Sequence, residues 1–228
     1  MSELSGRYDL PFMMAYIRGE LAGEARMFQK PLSELTEADD LALTALAQEK
    51  GLKLHYFKRF DELPRVRAVL GFLRGVGPES LLDVGSGRGV FLFPFMRQFP
   101  DTPVTSLDIL EKRVRMLDAM RRGGLDRLTP LQENICTWGE KDGAFDVVTL
   151  LEVMEHIPDV EAAARNAVRL ARRFVVVTVP SKPDDNPEHI HLLTKPVLTE
   201  LFGAAGCSDL RFDGVPGHLF MVAKKKGR

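Results

Sequence analysis

Glu152, Glu155 and His156 stand at spacing i, i+3, i+4 directly after the apolar run Phe145-Asp-Val-Val-Thr-Leu-Leu151. If the segment makes a helical turn, all three share one face. Two carboxylates and an imidazole can hold a divalent ion such as Mg²⁺ or Mn²⁺. They can also take a proton from a nucleophile. Farther along, Glu188-His189-Ile190-His191 lies in a Pro-rich stretch, so three of the five histidines fall in two short segments. One reading is a metal set of Glu152, Glu155 and His156. Another makes His156, His191 or Glu155 the base. The bland alternatives are a structural turn at 152–156 and solvated histidines at 189 and 191.

A second constellation lies earlier, in Leu81-Leu-Asp83-Val-Gly85-Ser86-Gly87-Arg-Gly89. Glycines here let the chain turn tightly and let a ligand approach the backbone near the positive end of a helix. The spacing is G-x-G-x-G, whereas a dinucleotide fingerprint is G-x-G-x-x-G, and position 90 is Val. Asp83, two residues before Gly85, ends a strand and can meet a cationic group.

These residues need a scaffold that brings them to one edge. From residue 80, β-like runs at 80–84, 104–108, 129–132, 145–151 and 174–179 alternate with helical stretches at 90–98, 111–122 and 159–172. Alternation of this kind predicts βαβ units and a parallel sheet covered on both faces. Strand carboxyl ends are then where a ligand binds. A helix over 194–205 and runs at 208–212 and 219–223 would close the sheet as a hairpin. The first 75 residues read as helices. Thr36 with Asp39 forms a capping-box pattern ahead of Leu43, Leu46 and Ala47. The segment 61–74 places Val66, Val69, Leu70 and Leu73 on one stripe. A third candidate, 8–29, is interrupted by Gly19 and Gly23. Gly75-Val-Gly-Pro78 marks the best boundary.

With the strand, the D-x-G-x-G-x-G turn and an acid ending the second strand, residues 78 to 224 resemble the class I S-adenosylmethionine-dependent methyltransferases. The resemblance implies a Rossmann-like α/β sheet of seven strands with an antiparallel last hairpin. It implies that Asp83, Gly85, Ser86, Gly87 and Gly89 hold the methionine part of the cofactor. Asp108, followed by Ile109, would bind the ribose hydroxyls. Asn134, with Ile135 behind it, would face adenine, where the family more often has Asp. Glu152, at the end of the fourth strand, would border the methyl group. The expected domains are a helical appendage at 1–75, acting as a lid over the acceptor, and a cofactor domain at 76–228.

The implied activity is transfer of a methyl group to O or N of a small-molecule acceptor. Ubiquinone-biosynthesis O-methyltransferases have a similar E-x-x-E-H segment tied to a divalent metal, as do enzymes that 2′-O-methylate small RNAs, which add a later histidine. That resemblance implies a metal set of Glu152, Glu155, His156 and His191, with His189 as the alternative fourth ligand. A metal-dependent RNA 2′-O-methyltransferase is therefore the alternative, although 189–196 does not read as the RNA enzymes' segment. A non-catalytic cofactor-binding protein is the third reading.

Composition narrows the partners. The chain has 228 residues, 45% hydrophobic and 28% charged, with a formal net charge of −1. Near-neutral charge disfavours a generic nucleic-acid partner. Two cysteines and no basic-apolar leader point to a reducing, cytoplasmic setting. No apolar stretch is long enough for a bilayer. His55-Tyr-Phe-Lys-Arg-Phe60 interleaves aromatic and basic residues, which can stack bases, but reads better as a helix end with buried rings. The oligomeric state is left open.

Overall fold

The structure is a computed structural model that describes residues 6–22, 30–59 and 63–225. Its sheet has seven strands in the order β3-β2-β1-β4-β5-β7-β6. These are β1 (Leu81–Val84), β2 (Val104–Asp108), β3 (Leu128–Gln132), β4 (Phe145–Leu151), β5 (Ala171–Pro180), β6 (Cys207–Val215) and β7 (His218–Lys225). The first five are parallel, and β7 runs antiparallel to both β5 and β6. This is the α/β sheet that the alternating pattern predicts, with the seven strands and antiparallel last hairpin that the resemblance implies. The order reverses beside β1, which places the glycine turn after β1 at the switch point of the sheet.

Successive strand residues feed opposite cores. Leu81, Val147, Val176, Phe220 and Val222 face one layer. Leu82, Val148, Val175, Val177, Met221 and Ala223 face the other. Period-two alternation with both faces apolar is the signature of a doubly covered sheet. The second layer is built by α6 (Val160–Leu170) and α7 (Lys195–Ala204), through Ala163, Ala164, Ala167, Leu198 and Phe202. Helix α6 is capped by Asp159, whose carboxylate accepts from the Ala162 amide at 2.8 Å. It stops at Leu170 rather than Arg172 because Ala171 already pairs with Phe145 as the start of β5.

The first layer contains α4 (Leu92–Gln98), α5 (Glu111–Arg122) and three N-terminal helices, α1 (Leu10–Glu20), α2 (Glu37–Glu49) and α3 (Pro64–Val76). The predicted capping box is present: the Asp39 carboxylate accepts from the Thr36 amide at 2.8 Å, while Thr36 Oγ1 accepts from the Asp39 amide at 3.3 Å. That backbone bond holds the Asp39 carboxyl down at about 2. Helix α3 starts at Pro64 and runs past Gly75 to Gly77, which ends it in the left-handed conformation.

These helices are not set apart from the sheet. Phe12 stacks on Phe93 at 4.9 Å between centroids, and Phe57 stacks on the same ring at 5.8 Å. Gly19, read from sequence as an interruption, lies inside α1 where it crosses α5. A Cβ there would fall 1.7 Å from the Ala119 carbonyl oxygen, and one on Gly123 would fall 1.7 Å from that of Ala15. The glycines permit a backbone-to-backbone approach that no larger residue allows. The second half of the 8–29 candidate, including Gly23, lies outside the described residues, as does Phe60.

Candidate active site

A cleft of about 180 Å³ opens at the carboxyl edge of β1 and β4, lined by Arg65, Val66, Asp83, Gly85, Ser86, Gly87, Arg88, Leu151 and Glu152 among others. The turn after β1 has Gly85, Gly87 and Gly89 at φ +66°, +57° and +80°. Side chains at two of these positions would also collide. A Cβ on Gly85 would meet Val153 at 2.5 Å, and one on Gly89 would meet the Phe93 ring at 2.3 Å. Gly87 has open space beside it, so backbone faces the cleft there.

Asp83 is buried, with both oxygens held by hydroxyls. Ser86 Oγ donates to Oδ2 at 2.6 Å, and Thr149 Oγ1 donates to Oδ1 at 2.7 Å. Ser86 Oγ also lies 2.7 Å from Ser106 Oγ, which ties the turn to β2. Burial outweighs these bonds and lifts the Asp83 carboxyl to about 6. A cationic ligand group would compensate that desolvation.

Asp108 ends β2, nearly buried, with Oδ1 accepting from the Leu110 amide at 2.9 Å. Ile109 beside it is 64% exposed, an apolar surface available to a flat ligand. Asn134 is exposed, and its side-chain oxygen accepts from the Cys136 amide at 2.9 Å, so it shapes the turn after β3. Ile135 points inward and packs in the second core. Its carbonyl accepts from Asn166 Nδ2 at 2.6 Å.

The E-x-x-E-H segment splits in two. The turn after β4 is a single 3-10 turn, Met154–His156, and not an α-helix, so the i, i+3, i+4 face does not form. Glu152, at φ +59°, turns toward β5 and β7. Its Oε1 accepts from Thr178 Oγ1 at 2.8 Å, and Oε2 lies 2.9 Å from His218 Nε2. Glu155 and His156 turn the other way, toward the 181–194 loop. Ligand atoms of Glu155, His156 and His189 lie within 4.8 Å of one another. His191 Nε2 is buried without a partner. Among the described residues, the cluster that could hold a metal therefore contains His189, and neither Glu152 nor His191 belongs to it.

Glu155 is 1% exposed, and neither carboxylate oxygen has a hydrogen-bond partner. Burial lifts its carboxyl to about 8. The two imidazoles are anchored by their Nδ1 atoms: His156 to the Glu188 carbonyl oxygen at 2.9 Å, and His189 to Asp184 at 2.8 Å. That anchoring leaves each Nε2 for another partner and is the outer-sphere arrangement of metal-ligating histidines. The loop is pinned to the turn by the Ile190 amide, which donates to the Glu155 carbonyl at 2.9 Å.

Arg65 and His218 carry no sequence motif, and Arg88 is a variable position within the glycine turn. The stripe Val66, Val69, Leu70 and Leu73 does place Arg65 beside a buried face at the start of α3. His218 follows a Pro-Gly turn and meets Glu152 only through the β5–β7 pairing, which no local pattern discloses.

The turn, the acid ending β2 and the seven-stranded order together define a Rossmann-like fold of the kind that binds S-adenosylmethionine. Residues 53–211 match the methyltransferase-domain family, and the chain belongs to that family. A ubiquinone biosynthesis O-methyltransferase of Vibrio campbellii is 32% identical over 111 residues, 47% of this chain and 46% of that protein. The ribosomal RNA small subunit methyltransferase G of Lactococcus lactis is 29% identical over 131 residues, 55% of this chain and 53% of that protein. The matched region thus spans about half the length of these relatives. The N-terminal domain of EvdMO1, solved with SAH and D-fucose present, superposes with a TM-score of 0.57 at 16% identity, over 74% of this chain and 84% of that one. No described helix is long and apolar enough to cross a membrane.

Proposed function

We propose that the protein transfers the methyl group of S-adenosylmethionine to an oxygen or nitrogen of a small-molecule acceptor. The observation that carries this is the buried Asp83 carboxylate at the floor of a cleft walled by the glycine turn. A carboxyl lifted by desolvation suits the cofactor's ammonium, and Arg65 and Arg88 on the same cleft suit its carboxylate. Asp108 offers a free oxygen to the ribose diol, and exposed Ile109 offers an apolar surface to adenine. Asn134 can present its amide group at the same rim.

The sulfonium methyl is already activated, so this chain's task is alignment of acceptor, methyl and sulfur, and removal of the acceptor's proton. His156 and His189 have a ring nitrogen each for that proton, and His191 has a buried one. Helix α3 contributes Arg65 and Val66 to the wall of the cleft, which supports a lid role for the N-terminal helices.

The Glu155–His156–His189 set also fits a divalent ion, because a buried carboxylate without partners is costly unless a cation or proton neutralises it. Glu155, His156 and His189 would hold the ion. Two nitrogens and one oxygen suit Mn²⁺ or another transition ion better than Mg²⁺. A bound ion would supply Lewis acidity that lowers the acceptor's pKa. The experiment is a screen of hydroxyl- and amine-bearing small molecules with labelled S-adenosylmethionine, with and without EDTA. Labelling of structured RNA in preference to every small molecule would overturn the acceptor assignment.

A further inference from the structure

His218 opens β7 immediately after the Pro216-Gly217 turn. Its Nδ1 lies 3.0 Å from the Pro216 carbonyl oxygen, and its Nε2 lies 2.9 Å from Glu152 Oε2. A carbonyl oxygen only accepts, so Nδ1 carries a hydrogen. Nε2 faces the carboxylate at hydrogen-bond distance, so the imidazole tethers Glu152. Thr178 clamps the other side of Glu152, donating from Oγ1 to Oε1 at 2.8 Å. The Glu152 amide also donates to the Thr178 carbonyl at 2.9 Å. Among the described residues, Glu152 is the one non-glycine in the left-handed backbone region. Strain of this kind persists where the surrounding structure holds a side chain to a task. Each carboxylate oxygen keeps lone-pair capacity after these two bonds, and Glu152 lines the cleft with Asp83, Gly85 and Gly87.

We propose that Glu152 is the hydrogen-bond acceptor at the methyl-transfer end of the cleft, and that His218 is the positioning residue that fixes it there. The acceptor is then a molecule whose nucleophilic atom carries hydrogen, a hydroxyl or an amine, and it donates a hydrogen bond to Glu152 as it approaches the methyl group. The sulfur–methyl bond breaks as the new bond forms, S-adenosylhomocysteine leaves, and the proton goes to one of the rim imidazoles named above. The proposal rests on the S-adenosylmethionine reading. The β6–β7 hairpin becomes part of the active site through one imidazole, and Thr178 supplies the second bond that stops the carboxylate rotating.

Sinefungin tests this without a known acceptor, because it carries an amine on carbon where S-adenosylmethionine carries the methyl on sulfur. S-adenosylhomocysteine has neither group. Calorimetry would give the ratio of the two dissociation constants for the wild type, Glu152→Gln, His218→Ala and His218→Gln. The wild type should favour sinefungin by about tenfold or more, the size of one charged hydrogen bond. Glu152→Gln and His218→Ala should lose most of that preference. His218→Gln keeps one N–H for the carboxylate and should recover part of it. An unchanged ratio in Glu152→Gln and His218→Ala, with S-adenosylhomocysteine still bound, would overturn the proposal. A wild type that binds neither ligand would instead overturn the cofactor reading beneath it.

Discussion

Asp83 sits at the floor of the cleft with Ser86 and Thr149 as its partners, and burial holds its carboxyl at about 6 against an ordinary 3.8. The folded state therefore binds this proton more tightly than the unfolded chain does. For the ligand-free protein, Asp83 lowers stability as pH rises from about 4 to about 6. For cofactor binding the sign is opposite, because the cation needs the ionised form. Affinity for S-adenosylmethionine should be level above pH 6 and fall as pH drops through it, by up to about tenfold per unit. Asp83→Asn should bind weakly and lose that dependence, which calorimetry from pH 5 to pH 8 would show. Asp108→Ala should weaken binding by about 1.5–3 kcal/mol, through loss of charged hydrogen bonds to the ribose. In the Glu155 cluster, Glu155→Ala and His189→Ala should each weaken Mn²⁺ binding in equilibrium dialysis, by about tenfold or more. Glu152→Ala should leave it unchanged. Equal loss in Glu152→Ala would return Glu152 to the ligand set. Asp83 and the three glycines were legible in sequence because their spacing is local. The partition of Glu152 from Glu155 was not, because it depends on a 3-10 turn in place of an α-helix and on a histidine two strands away.

The strands were readable because near-continuous apolar runs such as those of β4 and β5 need no knowledge of partners, whereas their order in the sheet was not. The crossing of α1 over α5 was not readable, since a glycine in a helical pattern signals interruption when the neighbouring helix is unseen. Gly19→Ala tests the crossing: its methyl would fall on the Ala119 carbonyl, and the helices must part. A loss of about 1–3 kcal/mol is expected in urea unfolding, whereas an interrupting glycine would be stabilised by the same change. At the opposite edge of the sheet from the cleft, Asp146 anchors β4. Its fully buried side chain meets Arg172 and Arg173, each at 3.0 Å, and accepts from the Glu79 amide at 3.0 Å. Breaking a buried pair costs about 3–5 kcal/mol, and the half-exposed arginines reduce that, so Asp146→Ala should cost about 2–3 kcal/mol. Cofactor affinity should survive, because the cleft lies at the other end of the strands.

At the scale of the whole molecule, the described N-terminal helices and the sheet share one core through Phe12, Phe57 and Phe93. Thermal unfolding should accordingly show one transition, shifted upward by cofactor as a single unit. Acceptor chemistry is the part that sequence discloses least, because the acceptor side proposed above draws on α3, the 181–194 loop and the β6–β7 hairpin, elements far apart in the chain. The account as a whole turns on what fills the cleft. Calorimetric titration with S-adenosylhomocysteine and with NAD, on the same preparation at pH 7.5, is the most direct measurement. The account predicts saturable one-to-one binding of S-adenosylhomocysteine, weakened in Asp108→Ala, with NAD binding far more weakly. Tight binding of NAD with none of S-adenosylhomocysteine would contradict it.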